Sequence, residues 1–183
     1  MPERHLILGG ARSGKTNHAI TLATHLADVQ RRRVVYVATA QAFDDEMRYR
    51  IDRHRAQRPH SWQTVEASND LAAALGAQPD AILLVDCLTL WLSNALLTDF
   101  DEATPNAPLA RWDAERSALL AWLAEFRGAA LFVSNEVGSG IVPASPLGRR
   151  FRDEQGRLNQ EMAAACDCVT LVVAGIAVAI KPR

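Results

Sequence analysis

The chain is short of several things. Cysteine occurs three times in 183 residues, at Cys87, Cys166 and Cys168. An odd number cannot close an even disulfide framework, and Cys166-Asp167-Cys168 has no second pair with which to build a tetrahedral zinc site, so free thiols are expected. Neither sign of charge is in excess. Twenty Lys and Arg face 21 Asp and Glu, a net charge of −1, and nothing in that balance, nor any aromatic and basic stripe, favours a nucleic-acid partner. No apolar run is both long enough to span a bilayer and free of helix or strand periodicity, so no membrane insertion is expected and the chain reads as cytoplasmic. Internal repeats and low-complexity tracts are missing too. What remains, 49% hydrophobic and 22% charged residues, suits a single α/β domain over 1–183.

Apolar, β-branched runs recur at Leu6–Leu8, Val34–Ala38, Ile82–Val85, Leu131–Val133 and Val169–Val173. Each is too short for a helix and is bounded by polar or turn residues, as in buried parallel strands. Helical patterns lie between them: Ala19, Leu22, Ala23 and Leu26 share one face, Leu109–Phe126 is rich in Ala, Leu and Trp, and Leu147, Phe151, Leu158, Met162 and Ala165 recur at spacings of 4, 7, 4 and 3. The alternation predicts a doubly wound, mostly parallel sheet flanked by helices. Val169–Val173 and Ile176–Ile180 around Ala174-Gly175 predict a C-terminal antiparallel hairpin. Asp99–Pro108 is an acidic, proline-punctuated surface loop, and Arg31–Arg33 a basic turn in solvent.

The most informative segment is the first. His5-Leu6-Ile7-Leu8 runs directly into Gly9-Gly10-Ala11-Arg12-Ser13-Gly14-Lys15-Thr16, the strand, glycine-rich loop and helix start of a P-loop. Gly9 and Gly14 let the backbone curl so that successive N–H groups point at a phosphate, and the new helix adds its positive dipole end. Lys15 would reach the β- and γ-phosphates, and the Thr16 hydroxyl would hold Mg²⁺. Asp86 ends the apolar run 82–85. It is either the carboxylate that organises Mg²⁺ through its water shell or a cap for the helix over Leu88–Leu97.

Two further runs stand out. Residues 39–59 read as a capped, charge-dense helix: Asp44 and Asp45 start it, Met47 and Ile51 dock it, Arg58-Pro59 ends it. Arg50 and His54 then share a face, with Arg53, Arg55 and Arg58 close by. An imidazole among guanidinium groups is either an exposed helix residue or a nucleophile for a phosphorylated ligand. Asn135–Pro143, after the strand ending at Ser134, contains Gly138 and Gly140. Ligands of open α/β sheets sit beyond the carboxyl ends of the strands, so this loop, the P-loop, Thr39–Gln41 and Asp86 should converge on one edge.

Taken together these blocks resemble the bifunctional adenosylcobinamide kinase/adenosylcobinamide-phosphate guanylyltransferases of cobalamin biosynthesis. The matching segments are 9–16; Tyr36–Thr39 with Asp44–Met47; Arg50-Ile51, His54-Arg55 and Arg58-Pro59; Asn135–Pro143; Phe151–Asp153 with Gly156–Gln160; and Val172–Ile176. Thr16 stands where many members carry Ser, and Asp86 where some carry Glu. The resemblance implies a RecA-like P-loop fold and a homotrimer. It implies phosphorylation of adenosylcobinamide by ATP or GTP, then transfer of GMP from GTP through a histidine-bound intermediate to adenosylcobinamide-phosphate, giving adenosylcobinamide-GDP. His54 matches that histidine. Lys15 would serve catalysis beside it; nucleotide would touch residues 9–16, Thr39, Ala40, Gln41, Arg55, Ala56, Gln57, Arg58, Glu66 and Asp86; Thr16 and Asp86 would serve the Mg²⁺. Without the resemblance, a P-loop kinase for another small hydroxylated substrate, with no covalent nucleotide, fits the same residues. So do an ATPase acting on nucleic acid and a nucleotide-dependent switch.

Overall fold

The structure, a computed structural model, describes residues 3–42, 44–56 and 58–182, excepting the Arg50 side chain. The apolar runs become β1 (Glu3–Gly9), β2 (Val34–Ala38), β4 (Ile82–Asp86), β5 (Ala129–Asn135) and β6 (Cys168–Val173), with β3 (Gln63–Glu66) added at one edge and β7 (Ile176–Lys181) at the other. The sheet order is β3-β2-β4-β5-β1-β6-β7, parallel throughout except for β7, which pairs antiparallel with β6. The expected mostly parallel sheet with a C-terminal hairpin is therefore what forms. Ala174 and Gly175 both take positive φ, 50° and 80°, in the hairpin turn, the twist that a two-residue connection needs.

Side chains alternate across a strand, so each buried strand feeds two cores. On one face Ile7, Tyr36, Ile82, Leu84, Leu131 and Val133 pack with Ala19, Ala23 and Leu26 of α1 (Lys15–Gln30). On the other, Leu6, Val35, Val37, Leu83, Val85 and Phe132 meet α3 (Leu71–Gly76), α4 (Leu88–Asp99), α5 (Ala110–Glu125) and α6 (Pro146–Ala165). Trp91 and Trp112 meet edge to face there, centroids 4.8 Å apart. Their indole N–H groups donate to Glu115 (2.8 Å) and to the buried Glu154 (3.3 Å), as a fully buried tryptophan requires. Glu154 is balanced by Arg157 at 2.8 Å and Arg150 at 3.3 Å.

Helix α2 (Asp45–Ala56) differs from the others. The Asp44 carboxylate accepts from the Met47 N–H at 2.7 Å, so the expected cap is present. Its composition leaves almost nothing to bury: Met47 and Ile51 are half-buried, and among the described residues none of α2 enters either core cluster. The helix is tethered at its ends more than packed along its length. Two elements were not foreseen. β3 is a short edge strand of polar alternation, Gln63-Thr64-Val65-Glu66, and α3 a six-residue helix. Arg33, placed in solvent with Arg31 and Arg32, donates to Gln63 and Gln78 and ties β3 to the turn before β4.

Helix stability in proteins comes mainly from an apolar face packed on a core. The amides of α2 are therefore expected to exchange with solvent much faster than those of α1 or α4. Hydrogen–deuterium exchange read by mass spectrometry checks this, and equal protection would show that α2 is seated on the core.

Candidate active site

The loop between β1 and α1 is shaped by close backbone contact as well as by glycine freedom. Gly14, the N-cap of α1, has φ 95°, a left-handed conformation that side chains disfavour, and Arg12 takes φ 57° in the same turn. Gly9 is glycine for another reason. A Cβ there would lie 2.4 Å from Ser13 Oγ and 2.7 Å from the Val172 carbonyl. The two glycines read from sequence as one device thus do separate jobs. The loop is held by backbone bonds: Gly175 N–H donates to the Ser13 carbonyl at 2.8 Å, and Glu136 N–H to the Gly9 carbonyl at 3.2 Å. Gly10, Ala11 and Arg12 form an exposed crest, and the Ser13 hydroxyl is buried with no hydrogen-bond partner.

Lys15 bends back so that Nζ donates to the Gly10 carbonyl at 3.1 Å. Burial holds its pKa below the usual lysine value, with Asp86 among the charges opposing that shift. A bound triphosphate would supply the missing counter-charge. Thr16 follows it in the first turn of α1, half-buried.

Register carries the other groups to the same edge. Ala38 pairs with Asp86 and Gly9 with Asn135, in each case the last residues of two neighbouring strands, and Asp86 pairs with Val133, two residues before the end of β5. Asp86 shares the α1 side of the sheet with Leu84, which turns it toward the P-loop. The cap reading of Asp86 is not realised: the N-cap of α4 is Cys87, and no side chain caps that helix. Instead the Tyr36 hydroxyl donates to Asp86 Oδ2 at 2.7 Å. Burial first, and the neighbouring carboxylate second, raise the Tyr36 phenol well above its ordinary pKa, so it keeps the proton it donates.

Thr39 is fully buried, and its hydroxyl is wholly engaged. It donates to the Cys87 carbonyl at 2.7 Å and accepts from the Cys87 N–H at 2.8 Å, while Asn94 donates to the Thr39 carbonyl at 2.8 Å. Thr39 therefore shapes the edge through backbone contacts, and the half-buried Ala40 and Gln41 are the neighbours nearer solvent. Burial pushes the Cys87 thiol up to about 12, leaving it protonated and inert.

The far side of the site is the end of α2. Arg58 is 8% exposed, with its guanidinium 3.4 Å above the Tyr36 ring and Nη1 donating to Thr64 Oγ1 at 3.1 Å. Arg55 Nη2 lies 4.0 Å from Glu66 Oε1, both largely exposed. His54, in the last turn of α2, and Ala56 are exposed; Gln57 lies outside the described residues. The structure thus joins the P-loop, Lys15, Asp86, the segment after β2 and Arg58. His54, Arg55 and Glu66 stand on the rim. Beyond β5, the Glu136 carboxylate accepts from Gly138 N–H at 2.7 Å and so ties its own loop, whose Ile141 is almost fully exposed. Sequence reasoning gave no role to Tyr36 or to the Val172–Gly175 backbone. A lone phenol in an aliphatic strand was the available signal for the first, since a buried hydroxyl needs a partner. A cavity of about 400 Å³ at the opposite sheet edge, against Arg32, Leu75, Trp122 and Phe126, shares no residue with this group.

Residues 5–180 match a family model described as cobinamide kinase / cobinamide phosphate guanyltransferase. The chain is 49% identical over 180 residues to the bifunctional adenosylcobalamin biosynthesis protein CobP of Pseudomonas aeruginosa, with 97% of each chain covered. It is 43% identical over 183 residues to the bifunctional adenosylcobalamin biosynthesis protein CobU of Escherichia coli, covering 96% of this chain and 98% of that one. The corresponding Salmonella typhimurium protein is 42% identical over the same span.

The loop geometry separates two neighbouring glycines. Gly9→Ala is expected to lower the melting temperature by several degrees and to weaken triphosphate binding, because the carbonyl it meets is backbone and cannot swing away. A Cβ at Gly10 meets nothing within 4 Å, so Gly10→Ala should melt within about a degree of the unaltered protein. Thermal denaturation with and without nucleotide decides between them.

Proposed function

The chain belongs to the cobinamide kinase / cobinamide phosphate guanyltransferase family, and on that premise we propose that one nucleotide site, at the carboxyl edge of the sheet, serves both reactions, with His54 carrying GMP between them. The protein is a bifunctional enzyme of adenosylcobalamin biosynthesis that uses nucleoside triphosphates. It phosphorylates adenosylcobinamide and transfers GMP to the resulting phosphate. The observation that carries the one-site reading is convergence: the P-loop with Lys15, the Asp86 carboxylate and the C-terminal end of the His54 helix meet at a single sheet edge.

In the kinase step the P-loop N–H groups and the α1 dipole cradle the triphosphate, and Lys15 exchanges its Gly10 contact for the β- and γ-phosphates. The substrate hydroxyl oxygen attacks the γ-phosphorus and loses its proton, the bridging P–O bond breaks, and nucleoside diphosphate leaves. In the guanylyl step the His54 imidazole attacks the α-phosphorus of GTP. An N–P bond forms, the bond to the β-phosphate oxygen breaks, and pyrophosphate departs. A phosphate oxygen of adenosylcobinamide-phosphate then attacks the same phosphorus, releasing His54 and giving adenosylcobinamide-GDP. Arg55 and Arg58 offset charge on the departing pyrophosphate, with Ala40, Gln41, Ala56, Gln57 and Glu66 lining the nucleotide's path.

Mg²⁺ is the metal of this reading. One carboxylate, Asp86, and one hydroxyl, Thr16, form an all-oxygen donor set, and among the described residues no cluster of three or more His, Cys, Asp or Glu could cage an ion. That suits a hard cation that keeps its waters and takes phosphate oxygens. When bound it would neutralise charge on the β- and γ-phosphates. Residues 1–183 act as one nucleotide-binding and catalytic unit in this reading, and the cytoplasm is its place, which agrees with three cysteines that form no disulfide among the described residues.

A homotrimer completes it. The surface best suited to self-association is the hairpin edge, where Val173, Ile176, Val178 and Ile180 are all more than half exposed. An uncovered apolar edge strand is otherwise a liability. Val178→Glu is expected to give monomers in size-exclusion chromatography with light scattering; an unchanged mass would move the interface elsewhere.

The covalent step is tested with Mg²⁺ and GTP labelled at the α-phosphorus. Acid-labile, alkali-stable label is expected on the peptide containing His54 and is expected to vanish in His54→Ala, which keeps its kinase activity. Triphosphate binding without any label would leave a kinase that forms no covalent nucleotide.

A further inference from the structure

We propose that Tyr36 is a positioning residue that couples the His54 helix to Asp86, its ring seating Arg58 and its hydroxyl aiming the carboxylate; the inference rests on the functional reading above. Three observations on one side chain carry it.

The first is the sequence Val34-Val35-Tyr36-Val37-Ala38, in which one phenol stands in an aliphatic strand. Tyr36 is 2% exposed, and its hydroxyl finds a partner in the single carboxylate at this edge of β4, at 2.7 Å. Asp86 ends β4 half-buried, where a carboxylate without such a bond would turn freely about its side-chain torsions. The bond commits Oδ2 to the phenol and leaves Oδ1 as the oxygen that the phenol does not hold.

The second is the other face of the same ring. Arg58 has its guanidinium 3.4 Å from the ring centroid, a distance at which a desolvated cation and a ring attract strongly. Its Nε is buried with no hydrogen-bond partner. Its Nη1 donates to a hydroxyl, that of Thr64, and the Tyr36 side chain and the nearby Asp86 charge are what offset its burial.

The third is how little else holds α2. Among the described residues none of the helix enters the core, and the Arg55–Glu66 pair at 4.0 Å is largely exposed, which makes it weak. Arg58, four residues beyond His54 and two beyond the helix end, is the buried anchor. A shift of α2 that withdraws Arg58 strips the ring of its cation, and a ring that tilts in response moves the hydroxyl off Asp86. The metal carboxylate and the nucleophile's helix thus share one side chain.

The test is a double-mutant cycle read by metal binding without turnover. Mn²⁺ is titrated, by electron paramagnetic resonance, into each protein saturated with a GTP analogue that cannot transfer phosphoryl or guanylyl groups. Tyr36→Phe keeps the ring and removes only the hydroxyl, and is expected to weaken Mn²⁺ binding about tenfold, as loss of a hydrogen bond to a charged group predicts. Arg58→Lys is expected to weaken it severalfold when Tyr36 is present but less than twofold in the Tyr36→Phe background. Tyr36→Phe binding within twofold of the unaltered protein would overturn the role of the hydroxyl, and an equal Arg58→Lys effect in both backgrounds would overturn the coupling. His54 labelling of the unaltered protein is scored separately. Its absence removes the functional reading, while the Mn²⁺ cycle still decides the positioning role.

Discussion

Burial of the sheet on both faces is the constraint from which the site follows. Six parallel strands lie between α1 on one side and α3–α6 on the other, and a strand in that position has apolar neighbours above and below. A charged group placed mid-strand would be stranded in a low dielectric. Polar chemistry is therefore confined to strand ends and the loops that leave them. Because the strands are parallel, one set of ends gathers at one edge, where Ala38 finishes opposite Asp86 and Gly9 opposite Asn135. The nucleotide site is the place where this architecture permits charge.

The P-loop meets that edge with little slack. It is pinned by main-chain bonds from Gly175 and Glu136, and Gly9 approaches Val172 too closely for any side chain. Binding a triphosphate demands N–H groups already aimed at it, and contacts through backbone can fix that aim without intruding side chains. Lys15 and Ser13 are the parts left for a ligand to engage, the first folded onto Gly10 and the second buried without a partner. A phosphate oxygen would answer both. The loop is rigid where it must be and incomplete where the ligand arrives.

Much of this was legible in the sequence, and the reasons for what was not are physical. Apolar runs of three to five residues bounded by polar or turn residues leave little choice but buried strands, so β1, β2, β4, β5 and β6 were plain. So was the hairpin, because Ala174-Gly175 interrupts two alternating runs. β3 escaped because an edge strand needs one good neighbour and no apolar signature: Gln63-Thr64-Val65-Glu66 pairs only with β2. The P-loop and Asp86 could be read because spacing alone specifies them. Thr39 could not, since nothing local announces that its hydroxyl is spent on the Cys87 backbone 48 positions away. In the sequence Arg58 stands with Arg53 and Arg55 as one of the arginines beside His54, and the resemblance adds only that it touches nucleotide. Only the tertiary fold shows that it, unlike Arg53 or Arg55, turns inward onto an aromatic ring.

The place of β1 in the strand order has a consequence for how the molecule is made. β1 lies between β5 and β6, and Glu3 finds its partner at Ala129, His5 its other at Cys168. β1 is thus a central strand whose two partners, β5 and β6, both come far later in the sequence. The hairpin turn that closes under the P-loop, Ala174-Gly175, emerges later still. Contacts this distant in sequence carry a large loop-closure entropy and form late. Residues 82–135 hold two adjacent strands and the tryptophan-bearing helices α4 and α5, which makes them the segment able to condense first. On this order of events the loop after β1 takes its final shape only once β5, β6 and the hairpin turn that hold it have formed.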